Sequence, residues 1–359
     1  MKIALAGLAN AGKTTIFNAL TGLDMPTTVY PTTDLTVHLG VVKVPDARID
    51  ALSAIYKPKK TTYATIQYID TPGFTPGDKI ARAKIFDAIR NVDAIVHVAR
   101  SFDNEAVSAA LDKVDPAAEQ ALFASELIFE DYELVEKRLQ RIEDSQKRGK
   151  KTPEQDVSLL LKCKDALEKE IPLRDVEFTQ QEQLLMKAMQ FISLKPLIIV
   201  LNVAEQDLGK PIVNELRQTL QNQALNTPVV AICGKIEMEL AQLSEQEAKE
   251  FLQELAIDEP ALSKLIHTSF ERLNLISFIT VGDDEVRAWT IPANTNAQQA
   301  AGKIHSDIER GFIRAEVVAY DDFMKAGGMV AAKEVGAVRL EGKLYLVQDG
   351  DIINFRFNV

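Results

Sequence analysis

The chain has 359 residues, 46% of them hydrophobic and 26% charged, a length and composition suited to a globular protein of more than one domain. Its formal net charge of −11 argues against a general nucleic-acid coat protein, whose surface has to attract phosphates, and no apolar run approaches the ~20 residues of a membrane helix. The two cysteines, Cys163 and Cys233, lie far apart and make neither a disulfide framework nor a metal-ligand spacing.

Met1–Ala6 is a short apolar run that leads directly into a loop, so it reads as a first strand, Lys2–Ala6, and not as a signal peptide; a cytoplasmic protein is expected. A helix begins at Lys13–Leu20. Leu39–Val44, Tyr63–Asp70 and Ala94–Ala99 read as further strands, an alternation that predicts an α/β fold: a doubly wound, mostly parallel sheet with helices on both faces. From about residue 117 to 190 the chain turns rich in Glu, Lys, Gln and Leu. Ile128, Tyr132, Val135, Leu139 and Ile142 recur at spacings of four and three, and Val157, Leu160, Leu167 and Ile171 continue an apolar stripe beyond a break at Gly149–Pro153. The pattern predicts an antiparallel coiled-coil hairpin with its tip near Lys150, the alternative being two surface helices on the core. The sheet resumes at Pro196–Leu201 and Thr227–Ile232. Beyond Leu275 come strands at Ile276–Thr280, Val286–Ile291, Ala315–Ala319 and Leu344–Val347, with a helix over Thr295–Arg310. The expected domains are therefore 1–116 with 191–274 for nucleotide binding, 117–190 for the helical insertion, and 275–359 for a small α+β domain.

Gly7-Leu8-Ala9-Asn10-Ala11-Gly12-Lys13-Thr14 has the pattern G-x-x-x-x-G-K-[ST] between an apolar strand and a helix. Glycines let several main-chain N–H groups point at one oxyanion, and the helix N-terminus adds partial positive charge. Asn10, Ala11, Gly12, Lys13, Thr14 and Thr15 are the expected phosphate contacts, with Lys13 on the β- and γ-phosphates and Thr14 supplying a hydroxyl to Mg²⁺. Asp70-Thr71-Pro72-Gly73 ends a strand 57 residues after Lys13; Asp70 suits the Mg²⁺ shell and the Gly73 N–H suits a γ-phosphate. The loop Tyr30–Thr36 offers Thr33 as a third metal ligand, with Thr32 and Thr36 as neighbours in the same role. Lys13, Thr14, Asp70 and Gly73 form the expected catalytic set, and Thr14, Thr33 and Asp70 the metal set.

Asn202-Val203-Ala204-Glu205 follows a strand at the place where GTPases carry N-K-x-D. Their aspartate accepts from guanine N1–H and the 2-amino group. Glu205 is one methylene longer, and Val203 replaces the lysine that packs over the base. This favours ATP over GTP, with Asn202, Val203, Glu205, Cys233 and Gly234 as the base-side residues.

These motifs together resemble the YchF (Obg-like ATPase) family of translation-factor-type P-loop proteins. The likeness extends through Val41–Leu52, Tyr56–Lys60, Asn202–Glu205 and Ile232–Glu237 to Phe278–Gly282, Glu285–Thr290 and Gln348–Asp351, nearly the whole chain. It implies a nucleotide-binding domain, a coiled-coil insertion and a C-terminal TGS domain of β-grasp fold. It also implies ATP preference, slow hydrolysis, and association with the ribosome in translation or stress response. Two departures mark a divergent member. The run after Gly73 is Phe74–Lys79, shorter than the family's glycine-rich stretch, and Ala109 stands where the family often carries a histidine proposed to aid hydrolysis.

Phe74 cannot orient an attacking water, so turnover by the chain alone is expected to be low, with a partner or K⁺ as accelerator. A GTPase, and a nucleotide-dependent binding module with negligible hydrolysis, are the competing readings. Lys147, Arg148, Lys150 and Lys151 make the best basic patch, fit for ribosomal RNA or for nothing more than a solvated turn. The tail from Ile276 has twelve acidic and nine basic residues and suits a protein surface, or RNA through a small patch. The expected partner is the ribosome, through its RNA or proteins, with no membrane, no sequence-specific DNA recognition, and a monomer as the favoured form. His38, His97, His267 and His305 read as ordinary surface or core residues, and Trp289 as core.

Overall fold

A computed structural model describes residues 1–26, 37–73, 75, 77, 79–103, 111, 113–149, 153–224, 226–255 and 257–358. In chain order these form β1 (Lys2–Ala6), α1 (Lys13–Thr21), β2 (His38–Lys43), α2 (Ala47–Tyr56), β3 (Lys60–Thr62), β4 (Thr65–Asp70), α3 (Lys79–Arg90), β5 (Ala94–Ser101), α4 (Pro116–Lys147), α5 (Glu154–Glu168), α6 (Gln180–Lys187), β6 (Leu197–Val203), α7 (Pro211–Gln223), β7 (Val229–Ile232), α8 (Gly234–Leu240), α9 (Glu245–Glu254) and α10 (Ala261–Arg272). There follow β8 (Leu275–Thr280), β9 (Glu285–Pro292), α11 (Ala297–Ile304), α12 (Ser306–Arg310), β10 (Phe312–Ala319), α13 (Tyr320–Ala326), α14 (Met329–Glu334), β11 (Arg339–Glu341) and β12 (Asp351–Phe357). Met1–Gly40 and Gln67–Leu265 make one compact unit, and Val41–Ile66 with Ile266–Val359 make the other.

The first unit is built on a six-stranded sheet in the order β2-β4-β1-β5-β6-β7. The pairs β4·β1, β1·β5, β5·β6 and β6·β7 are all parallel, which is the mostly parallel, doubly wound fold expected. β6 is buried at every residue and β5 at all but its last, as unbroken apolar strands must be when covered on both faces. The order 4-1-5-6 brings the C-terminal ends of β1, β4 and β6 to one edge, and the loops that follow them carry the predicted motifs.

α4 starts cleanly: Asp115 accepts from the Ala118 N–H at 3.0 Å, with Pro116 in the first turn. Over its 32 residues it serves two cores. Phe123 and Leu127 pack with the sheet, whereas Ile128 and Val135 join a second cluster with Leu159, Leu160, Cys163 and Leu167 of α5. The stripe read from the sequence holds on α4, where Tyr132, Leu139 and Ile142 also pack on this cluster. On α5 it needs correction: Ile171 lies beyond the helix and is 40% exposed, and Leu159, Cys163 and Ala166 are buried beside Leu160 and Leu167. Leu173, Met186, Met189 and Phe191 complete the cluster, so the helix pair is covered by a third segment. Asp131 anchors it, accepting from the Ile192 and Ser193 N–H groups at 3.0 and 2.7 Å.

The second unit holds a mixed sheet in the order β11-β10-β12-β8-β9-β3. β3 lies parallel to β9, and Arg48 bridges Asp46 and Asp349 at 2.9 and 2.8 Å. Residues 41–66, which the sequence reading placed with the nucleotide-binding domain, thus belong to the C-terminal unit. The reason is that three-residue β3 is too short to be read from periodicity, and its partner lies more than two hundred residues away. The strand expected at Leu344–Val347 does not form. Turns at Gly342 and Gly350 bracket this stretch; Val347 and Tyr345 point to the core while Leu344 is 84% exposed, and only a single bridge joins Leu346 to Asn296. The predicted helix over Thr295–Arg310 is α11 and α12, separated by extended His305. Trp289 packs against the core as expected, its ring stacked on Phe278.

Candidate nucleotide-binding site

The loop from β1 to α1 ends on Gly12, whose φ of 87° is in the left-handed region. α1 has no side-chain cap and no acidic residue in its first turn, so its first amides stay available to an anion. A Cβ on Gly12 would lie 2.2 Å from Asn202 Nδ2, which excludes any larger residue there. Asn202 uses both ends of its amide to fix the loop: Nδ2 donates to the Ala11 carbonyl at 3.0 Å, and Oδ1 accepts from the Gly234 N–H at 3.1 Å. Its position at the end of β6 therefore makes it a brace between the phosphate loop and the start of α8.

Lys13 is buried, and its Nζ donates to the Leu8 carbonyl at 2.7 Å. Burial pulls its pKa down to about 8, against the opposing pull of Asp70 and Glu119. Thr14 Oγ1 donates to Asp70 Oδ2 at 2.8 Å. Asp70 Oδ1 is buried with no hydrogen-bond partner among the described residues. Burial pushes the Asp70 carboxyl above its usual range, with Lys13 and the Thr14 hydroxyl acting in the other direction. Gly73 lies on the loop: a Cβ there would come within 2.5 Å of Ala9 Cα and 2.7 Å of Lys13 Nζ. The four expected catalytic residues, from two separate stretches of sequence, are thus assembled at one place.

The other expected residues divide. Asn10 sits at φ 61° in the loop, and Thr15 Cγ2 lies 3.4 Å from where a Gly234 Cβ would stand. Val203, in fully buried β6, and Cys233, between β7 and α8, have their side chains in the hydrophobic core; they offer no side-chain surface to a base. Glu205 is exposed and pairs with Lys235 at 3.0 Å. Thr33, with Thr32 and Thr36, lies outside the described residues, as do Phe74, Ala109, Lys150 and Lys151. Two buried charges around Lys13 escaped the sequence reading. Glu119, in the first turn of α4, accepts from the Arg100 N–H at 2.9 Å, and the Arg100 guanidinium lies 4.6 Å from the Phe102 ring centroid. A charge ending an otherwise apolar strand, as Arg100 does, is the signal that could have revealed the pair. His97 is a core residue, stacked on Phe123 at 4.3 Å and held neutral by burial, its pKa about 3.

A buried ammonium, uncapped helix amides and a hydroxyl–carboxylate pair on one loop are equipment for holding a polyphosphate. Fold and site together define a P-loop nucleoside triphosphatase. Residues 2–129 match the family model for 50S ribosome-binding GTPases (MMR_HSR1), and residues 275–358 match the YchF-GTPase_C model, a protein of unknown function (DUF933). The ribosome-binding ATPase YchF of Bacillus subtilis is 42% identical over 99% of this chain and 98% of its own length. That of Pasteurella multocida is 38% identical over 100% and 99%. The solved structure of the Schizosaccharomyces pombe YchF GTPase superposes with a TM-score of 0.86 at 28% identity, covering 99% of this chain and 97% of that one. The chain belongs to the YchF family.

Proposed function

We propose that this protein is a slow, Mg²⁺-dependent nucleoside triphosphatase that prefers ATP to GTP and works in association with the ribosome. The observation that carries the nucleotide part is the Thr14–Asp70 contact of 2.8 Å beside buried Lys13. A hydroxyl and a carboxylate with one unpartnered buried oxygen are the hard oxygen donors that Mg²⁺ favours, so the residues present fit the ion. Thr14 and Asp70 would hold it, with Thr33 proposed as a third ligand. Once bound, Mg²⁺ neutralises charge on the phosphate oxygens. The chain's own residues do the rest. The amides from Asn10 to Thr15 orient the phosphates, and Lys13 gives up its bond to Leu8 to neutralise charge on the β- and γ-oxygens. Gly73 offers its N–H where the γ-phosphate arrives, close enough to Ala9 and Lys13 that a side chain there would not fit. A residue that orients the attacking water is missing from this set, which is why we read the turnover as slow and open to acceleration by a partner or by K⁺.

The preference for ATP rests on Glu205 in place of the shorter aspartate, and the relatives named as ATPases support it. Their names also support the ribosome as partner. We read α4 and α5 as a coiled-coil arm, the second unit as a TGS-type β-grasp domain, and the protein as a cytoplasmic monomer. Among the described residues no helix is long and apolar enough to cross a membrane.

The test is calorimetric titration of ATP and GTP analogues with Mg²⁺, followed by single-turnover hydrolysis with and without ribosomes. ATP is expected to bind tighter, Lys13→Ala to abolish binding of both, and ribosomes to speed a slow basal reaction. Failure of both nucleotides to bind folded protein would refute the triphosphatase. Tighter GTP binding would establish the GTPase instead, and absence of hydrolysis under every condition a binding module.

A further inference from the structure

Between α3, α4 and α5, apart from the nucleotide site, runs a groove of about 590 Å³. Phe129 and Tyr132 give it an apolar surface over buried Leu167, and Phe129 is 47% exposed while Phe123 of the same helix is fully buried. Glu126, Glu168 and Glu170 also line it. Arg82 of α3 is the one basic residue in the lining among the described residues, and it is already engaged: Nε lies 2.7 Å from Glu126, Nη2 lies 3.1 Å from Glu130, and the guanidinium covers one side of the Phe129 ring at 5.0 Å. Lys164, behind the rim, pairs with Glu136 and more distantly with Glu168. Three carboxylates against one guanidinium leave the lining net negative.

An apolar floor with an acidic rim repels RNA phosphates and fits the opposite charge pattern. We infer that this groove docks a Lys/Arg-rich protein segment carrying one aliphatic or aromatic anchor. The anchor seats on Phe129 and Tyr132, and its flanking cations meet Glu168 and Glu170. The inference rests on the ribosome reading above. Proteins that lie against ribosomal RNA must be cationic, so a ribosome presents such segments. One wall of the groove belongs to α3, the helix that follows the Asp70–Gly73 turn, so a segment seated there touches the element next to the phosphate loop.

The experiment uses the full chain, Mg²⁺-ATP and purified ribosomes. A photo-reactive p-benzoylphenylalanine replaces Phe129, and a control replaces Leu184, which is 66% exposed on α6. Pelleting is measured in parallel for the wild type and for Glu168→Lys/Glu170→Lys, with ATP affinity as the check on folding. The groove is upheld if residue 129 crosslinks to a Lys/Arg-rich protein segment, the control does not crosslink to it, and the double variant pellets about tenfold more weakly at unchanged ATP affinity. Crosslinking to RNA, no adduct from pelleted protein, or undiminished pelleting of the double variant overturns the groove alone. Failure of the wild type to pellet overturns the ribosome reading, and the groove's occupant with it.

Discussion

Lys13 is charged only at a cost, because the loop that places it on a phosphate also takes it out of water. With its pKa drawn down to about 8, the free site carries the ammonium below that pH and loses it above. Triphosphate binding needs the ammonium, so affinity is expected to hold up to about pH 8 and then fall, by about tenfold per pH unit. Calorimetry of an ATP analogue from pH 6.5 to 9.5 reads this directly, and a flat profile contradicts it. A second residue prediction concerns the base. Lys235 holds the Glu205 carboxylate at 3.0 Å, so Lys235→Ala frees an acceptor for guanine's N–H donors. Both side chains are exposed, which limits the effect: the GTP-to-ATP affinity ratio should rise about threefold. An unchanged or lowered ratio in competition binding refutes it.

At the scale of elements, α4 is held to the rest of its unit by apolar contacts and by several carboxylates, of which Asp131 is the most deeply buried. Asp131 is fully buried, and the Ile192 and Ser193 N–H groups have it as their acceptor. Asp131→Ala should destabilise the unit by about 3 kcal/mol, since two buried donors lose their partner; urea unfolding measures it, and a loss below about 1 kcal/mol speaks against the anchor. The helix itself was legible, because Ile128, Tyr132 and Val135 repeat at helical spacing. Asp131 was not, because an aspartate in a charged helix reads as solvated until the turn before β6 is placed against it.

For the whole molecule, the division into units decides what can be separated. Residues 275–358 match a family model of their own, yet β3 extends their sheet and Arg48 pairs with Asp349 inside the same unit. A fragment starting at residue 275 leaves the edge of β9 bare and Asp349 without its guanidinium. It is expected to unfold without a sharp calorimetric transition, and a cooperative melt of the isolated fragment contradicts the assignment.

The phosphate loop was readable from the sequence because its chemistry is local: strand, glycines, lysine and hydroxyl follow one another within fourteen residues, and each is there for its backbone freedom or its charge. The Asp70–Gly73 turn and the apolar strands were readable for the same reason. Folding alone decided which of the distant residues act together. Asn202 became a brace when the sheet order brought β6 to the loop, Val203 went to the core because its strand is covered on both faces and Cys233 because the turn into α8 packs on the same core, and β3 joined the C-terminal sheet as a strand too short to show a period. Spacing along a chain records what neighbours can do; it carries no record of which segments the sheet sets side by side.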